Sequence, residues 1–184
     1  MEHNPYQAGE QQMSVGDGQA VAGIAASVRG MQIIAAALMV SVTGFLFVVL
    51  SVTQGNVFGF QMPAVLTQIG AGLGAFMILN HFIVPGIVSS LQLRKATASG
   101  LLQQDDESQN RQLMGIYRIQ LIIALAMLEG AAFLNLVAFM VEKNGLSMGV
   151  VVLLLGLMQL RFPTQHKVSS WVSYKLREIK ELSQ

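Results

Sequence analysis

Four apolar runs, separated by polar segments of very unequal length, organise this chain. Residues 31–52 carry no charged side chain. Residues 63–91 open on Pro63, where the missing N–H of proline costs least at the first turn of a helix, and contain Pro85. Residues 118–141, RIQLIIALAMLEGAAFLNLVAFMV, hold one carboxylate, Glu129, near their middle. Residues 146–160 form the shortest run. A helix needs about 20 apolar residues to cross about 30 Å of hydrocarbon. The pattern therefore predicts an all-α, polytopic helical membrane protein with four transmembrane helices. The second run exceeds the thickness to be crossed, so it tilts, kinks at Pro85 or extends into the headgroups. The fourth spans only with help from its flanks, a re-entrant segment being the other reading.

The segments between and around these runs are read by the same pattern. Residues 1–18 are rich in Gln, Gly and Asn without apolar periodicity, which predicts a disordered cytoplasmic tail. A secretory signal needs an apolar region close behind a basic start, whereas the first long apolar run begins near Met31, so the N-terminal segment is expected to be retained. Residues 19–163 make the membrane domain, and a helix can begin in the small residues of Gln19–Arg29. Gly55, Asn56 and Gly59 mark a turn over 53–62. The central segment 92–117 is long for a helical hairpin. Its Asp105-Asp106-Glu107 lacks the glycine and terminal glutamate of a calcium loop, and reads as a solvated turn between helical extensions. Within 164–184, Val168, Trp171, Val172, Leu176, Ile179 and Leu182 recur at helical spacing. This amphipathic helix either lies on the inner leaflet, anchored by Trp171, Tyr174, Lys175 and Arg177, or packs on the bundle or another subunit. The excess of basic over acidic residues favours the leaflet.

Composition agrees with the pattern: 53% of residues are hydrophobic, 11% are charged, and the mean hydropathy is +0.54. The net charge of +1 is spread thinly, so no phosphate-binding face for nucleic acid is expected. Cysteine is absent, which excludes disulfides and thiol ligands or nucleophiles. Every Lys and Arg except Lys143 falls before the first run, between the second and third, or after the fourth. By the positive-inside rule both termini and the central segment are cytoplasmic, in the plasma (inner) membrane.

A weak internal repeat runs at an offset of 89: Arg29 matches Arg118, and Ile33, Ile34, Ala35 and Ala37 match Ile122, Ile123, Ala124 and Ala126. Each half then carries a proline followed by Val-Ser-Ser, Pro85 with Val88–Ser90 and Pro163 with Val168–Ser170. The readings are a duplicated helical hairpin with a shortened fourth span, or chance in an apolar sequence of low complexity. In this alignment Val40 takes the place of Glu129, so only the second half carries the carboxylate.

Polar residues inside apolar runs are the candidate site: Glu129, His81, Asn80 and Asn135, with Gln68 beside them. Counted from Arg118, Glu129 lies roughly 16 Å deep; counted from Leu91, His81 lies roughly 15 Å deep. At equal depth the two can meet, as a structural lock or as a proton relay. Gly70, Ala71, Gly74 and Ala75 form overlapping small-xxx-small pairs that let another helix approach closely, within the chain or between copies. No catalytic constellation, metal site or cofactor motif is read, so no enzymatic activity is expected. The partners implied are the lipid bilayer and a second copy or another membrane protein.

Gly-rich helix, polar loop and a helix with a mid-span glutamate follow one another over residues 66–140. In that order, and in LIIALAMLEGAAFLNLV (121–137), the chain resembles the proteolipid c-subunits of rotary ATPases. The resemblance implies that Glu129 matches the ion-binding carboxylate. Arg111-Gln112 is followed by Leu113 where that family's loop has proline, the central segment is longer, and two further apolar runs are present.

Overall fold

The computed structural model describes the backbone of residues 6–53 and 65–182, and the side chains from residue 25 onward apart from 102 and 182. The turn expected at 53–62 lies, from residue 54, outside the described residues, as does Pro63. The chain is all-α: α1 (Tyr6–Val52), α2 (Val65–Ala98), a one-turn 3-10 helix (Leu101–Gln103), α3 (Asp106–Glu142), α4 (Gly145–Leu160) and α5 (Gln165–Leu182). Helix α1 takes in residues 6–18, which composition assigns to a tail; Gly and Gln lower or leave unchanged the helical propensity there without forbidding a helix.

Local chemistry sets the helix ends. The central segment shrinks to a short turn because α2 continues through Lys95 and α3 starts at Asp106. Gly100 turns the chain with φ 82, a left-handed conformation that a Cβ disfavours. The Asp105 carboxylate then accepts the Ser108 amide N–H and caps α3, and Glu107 pairs with Arg111 one turn on at 2.7 Å. The acidic triplet is thus a helix start. At the opposite end Lys143, with φ 50, closes α3, and the Asn144 side chain caps α4 by accepting from Leu146 N–H. A cap in trans completes this end: Glu142 accepts the backbone N–H groups of Leu66 and Thr67 at 2.8 and 2.7 Å, satisfying the first turn of α2.

Helix α3 is the centre of the bundle and packs on all the others, most extensively on antiparallel α2. Its buried positions Leu121, Leu125, Leu128, Ala132, Leu136 and Phe139 recur every three or four residues. Helix α1 runs parallel to α3, with the rings of Phe45 and Phe133 5.4 Å apart. Three helices are long and apolar enough to cross a membrane, and up to four if α4 and α5, which meet at a 67° bend, count as one broken span. Pro85 is buried inside an uninterrupted α2, whereas Pro163 sits where α4 breaks from α5.

The placement of α5 gives its apolar face to the bundle, the second of the two readings. Its apolar face, Val168, Val172 and Ile179, is buried against the bundle, and the Trp171 ring meets Tyr117 of α3 edge-on at 5.3 Å. Area removed from solvent by docking on α3 is unavailable to lipid. What remains outward is Tyr174, 64% exposed, with the Lys175 ammonium over its ring and 2.6 Å from Glu178.

Candidate functional site

The polar residues of the apolar helices sort into three groups at different levels of α3, the first on its α1-facing side and the other two on its α2-facing side. The first is the seam of α1 and α3. Parallel packing with a register of 88 residues brings the exposed Ser41 hydroxyl to the half-buried Glu129 carboxylate, to which it donates a hydrogen bond. Ser41 also lies within hydrogen-bonding reach of the Leu38 carbonyl of its own helix. Glu129 has no ion pair among the described residues.

The second group closes α4 onto α2. His81, 1% exposed, places Nδ1 3.2 Å from the Ala124 carbonyl, and Arg161 donates from Nε to His81 Nε2 at 3.0 Å. Because Nε2 accepts, the proton of the ring is on Nδ1 and donates to Ala124; the imidazole is neutral in this arrangement. The guanidinium also reaches the His81 carbonyl at 3.4 Å and lies 5.9 Å from the centre of the Phe82 ring. Arg161 ends α4, and the Lys167 ammonium donates to the carbonyls of Leu160 and Phe162, so two cations meet the negative end of that helix. Gln32 ties α1 to the same break by donating to the Pro163 carbonyl at 3.0 Å.

The third group, nearer the Lys143 turn, is a close-packed polar contact. Asn135 is fully buried and donates both amide protons, to the Gly70 carbonyl of α2 at 2.9 Å and to Ala131 of its own helix at 2.8 Å. A Cβ at Gly70 would lie 2.9 Å from Asn135 Oδ1, and one at Gly74 would lie 2.9 Å from Val150 Cγ1. The absent side chains are what let α3 and α4 approach α2. One turn along, the buried hydroxyls of Ser147 and Thr67 pair at 3.1 Å.

The meeting of Glu129 and His81 that equal depth allows does not occur: each has other partners. Depth fixes only the position along a helix, and five residues separate Ala124, which faces α2, from Glu129, which faces α1; at about 100° per residue that is another side of α3. Asn80 stands apart as well, donating back to the Phe76 carbonyl of its own helix. Gly70 and Gly74 are buried in contacts within the chain, Ala71 is half-buried and Ala75 exposed. Sequence reasoning missed Ser41, Arg161, Glu142, Thr67 and Ser147. Arg161 carries a signal beyond its part in orientation, since a charge at the end of a short apolar run beside a proline invites a partner at the same level.

Among the described residues no three His, Asp or Glu side chains are grouped so as to hold a metal ion. Compared with known protein families, curated proteins and solved structures, the chain matches none.

Proposed function

We propose that this is an integral membrane protein of four crossings, both termini cytoplasmic, that works by association with a second transmembrane surface and not as an enzyme. The observation that supports it is the position of Glu129: a carboxylate about midway along a membrane-length helix, half-open at the α1–α3 seam, with one hydroxyl for a partner. A carboxylate facing lipid is costly, and such groups face a bundle interior, a cavity or another protein. The surface beside it suits a helix. Ala37, Ser41, Gly44 and Val48 make an exposed stripe of small and short side chains at helical spacing along α1, the composition on which membrane helices approach closely. A second copy is the occupant proposed, because carboxyl and hydroxyl each both donate and accept once the carboxyl is protonated, and so pair across a two-fold axis. Association is tested by energy transfer between labelled chains in liposomes. Glu129→Leu is expected to weaken self-association about 5- to 30-fold, the worth of one interhelical hydrogen bond of 1–2 kcal/mol. Glu129→Gln retains most of it.

A second reading is proton- or cation-coupled translocation centred on Glu129. It is favoured by the pairing of that carboxyl with a neutral hydroxyl and no cation, an arrangement that can exchange a proton or hold a small cation. The resemblance to rotary c-subunits belongs with this reading. Vesicle flux lost in Glu129→Gln supports it, and absence of Glu129-dependent flux in the wild type excludes it. The parallel α1–α3 register of 88, one residue from the sequence offset, also supports a duplicated hairpin in which α1 and α2 correspond to α3 and α4–α5.

A further inference from the structure

A groove of about 590 Å³ opens between the last turns of α2 and one flank of α5, lined by Leu93, Arg94 and Thr97 on one side and Lys175, Glu178 and the edge of buried Ile179 on the other. Its polar groups are unevenly committed. The Thr97 hydroxyl donates to the Leu93 carbonyl of its own helix. The Lys175 ammonium gives one proton to Glu178 and keeps two. Arg94, exposed, makes no hydrogen bond or ion pair among the described residues. The groove therefore presents unspent cationic donors beside apolar walls, a combination that fits an amphiphile with an anionic head.

Register gives the level. His81 of α2 lies opposite Ala124 of α3, and Gly70 opposite Asn135. Continued along the antiparallel pair, this puts Arg94 level with Arg111, about 10 Å beyond Arg118, where the apolar run of α3 ends. Side chains on a helix lean toward its N-terminus, and for α2 that direction is back toward the apolar run. The Arg94 guanidinium thus reaches toward the headgroup layer, which brings a bilayer from about 30 Å of hydrocarbon to 40–45 Å in all. On the same face of α2, toward the membrane, come Leu91, Ile87 and Ile83, each more than half exposed.

We propose that the groove binds one anionic phospholipid of the inner leaflet, its phosphate held by Arg94 and Lys175 and its acyl chains laid along Leu91, Ile87 and Ile83. The free oxygen of Glu178 accepts from a headgroup hydroxyl, so phosphatidylglycerol is the probe of choice. The proposal rests on the membrane location and orientation and is independent of any role for Glu129.

The test is native mass spectrometry of the full detergent-solubilised chain titrated with phosphatidylglycerol or phosphatidylcholine of matched acyl chains. The expected result is a first bound phosphatidylglycerol favoured about 5- to 30-fold over phosphatidylcholine, from Arg94 together with Lys175, whose charge Glu178 partly offsets, at about 1 kcal/mol per full cation. The preference is lost in Arg94→Gln/Lys175→Gln and kept in Arg111→Gln, which removes a charge at the same level on α3. Arg94→Gln alone, at an exposed position, lowers the preference severalfold and decides the matter if the double variant loses its helicity. Equal binding of the two lipids, or a preference unchanged by Arg94→Gln, overturns the proposal. Displacement of the lipid by inorganic phosphate at equal concentration also overturns it, assigning the groove to a soluble anion.

Discussion

Replacing Arg161 by leucine removes the donor that closes α4 onto α2, and the structure sets what that costs. The lost hydrogen bond, Nε to His81 Nε2 at 3.0 Å, has a charged donor, a class worth about 1.5–3 kcal/mol in proteins generally. Interhelical hydrogen bonds measured in a membrane protein average lower, about 0.6 with a maximum of about 1.7 kcal/mol. His81 is almost wholly buried, so its Nε2 is left with no water to replace the donor, and the upper part of the membrane range applies. Arg161→Leu is therefore expected to cost about 2 kcal/mol, the bond plus a stranded acceptor. His81→Leu costs about 1.5 kcal/mol, since the Arg161 contact to the backbone carbonyl of residue 81 survives it. The double variant costs about 2–2.5 kcal/mol, a coupling of about 1–1.5 kcal/mol. The assay is unfolding of the full chain by transfer from mild detergent into dodecyl sulfate, followed by circular dichroism. Costs that add to within about 0.3 kcal/mol refute the reasoning and make the contact incidental.

Close packing at the glycines gives a further test. Gly70→Ala and Gly74→Ala are each expected to destabilise by about 1–3 kcal/mol in the same assay, because the new Cβ meets the doubly hydrogen-bonded Asn135 amide in the first case and β-branched Val150 in the second; a cost below about 0.5 kcal/mol at both contradicts the close approach. The Ser108 hydrogen bonds, side chain first and backbone second, hold the Asp105 carboxyl below the ordinary aspartate range. A lowered folded value means a contribution present above the ordinary range and lost as pH falls through the folded value, so the α3 cap frays only under acid conditions. A carboxyl carbon titration by NMR with a midpoint at or above the ordinary aspartate value contradicts this. For orientation, a cysteine replacing exposed Lys143 is expected to react with an impermeant reagent from outside intact cells, and one replacing exposed Asp106 only after lysis. The reverse pattern overturns the assigned sidedness.

Much of the architecture was legible because a membrane-length helix announces itself by composition alone. The boundaries 118–141 and 146–160 fall within or on α3 and α4, and the polar centre of 92–117 is the turn between helical extensions. What was not legible is azimuth. In an apolar helix every face looks alike in sequence, so nothing there says that Ala124 faces α2 while Glu129 faces α1, and equal depth alone leaves their contact open. Val168, Val172 and Ile179 of the amphipathic stripe share the buried side of α5, but an apolar face does not say whether protein or lipid covers it; Tyr117, the aromatic that receives Trp171, lies more than fifty residues away in the chain. Hydroxyls were the other silent group. Ser41, Thr67 and Ser147 pass as ordinary small residues of a membrane helix until a partner is seen beside them.

The central claim, that Glu129 and Ser41 mark a surface where a second copy docks, is tested most directly by cross-linking in native membranes. The chain has no cysteine, and Val40, 69% exposed beside Ser41, is a clean place to introduce one. A short bis-maleimide is predicted to trap Val40→Cys as a dimer. The yield should fall about 5- to 30-fold when Glu129→Leu is added, hold with Glu129→Gln, and be negligible for Leu79→Cys on the exposed side of α2. Dimer formed equally from Leu79→Cys, or from Val40→Cys with and without Glu129→Leu, would contradict the account.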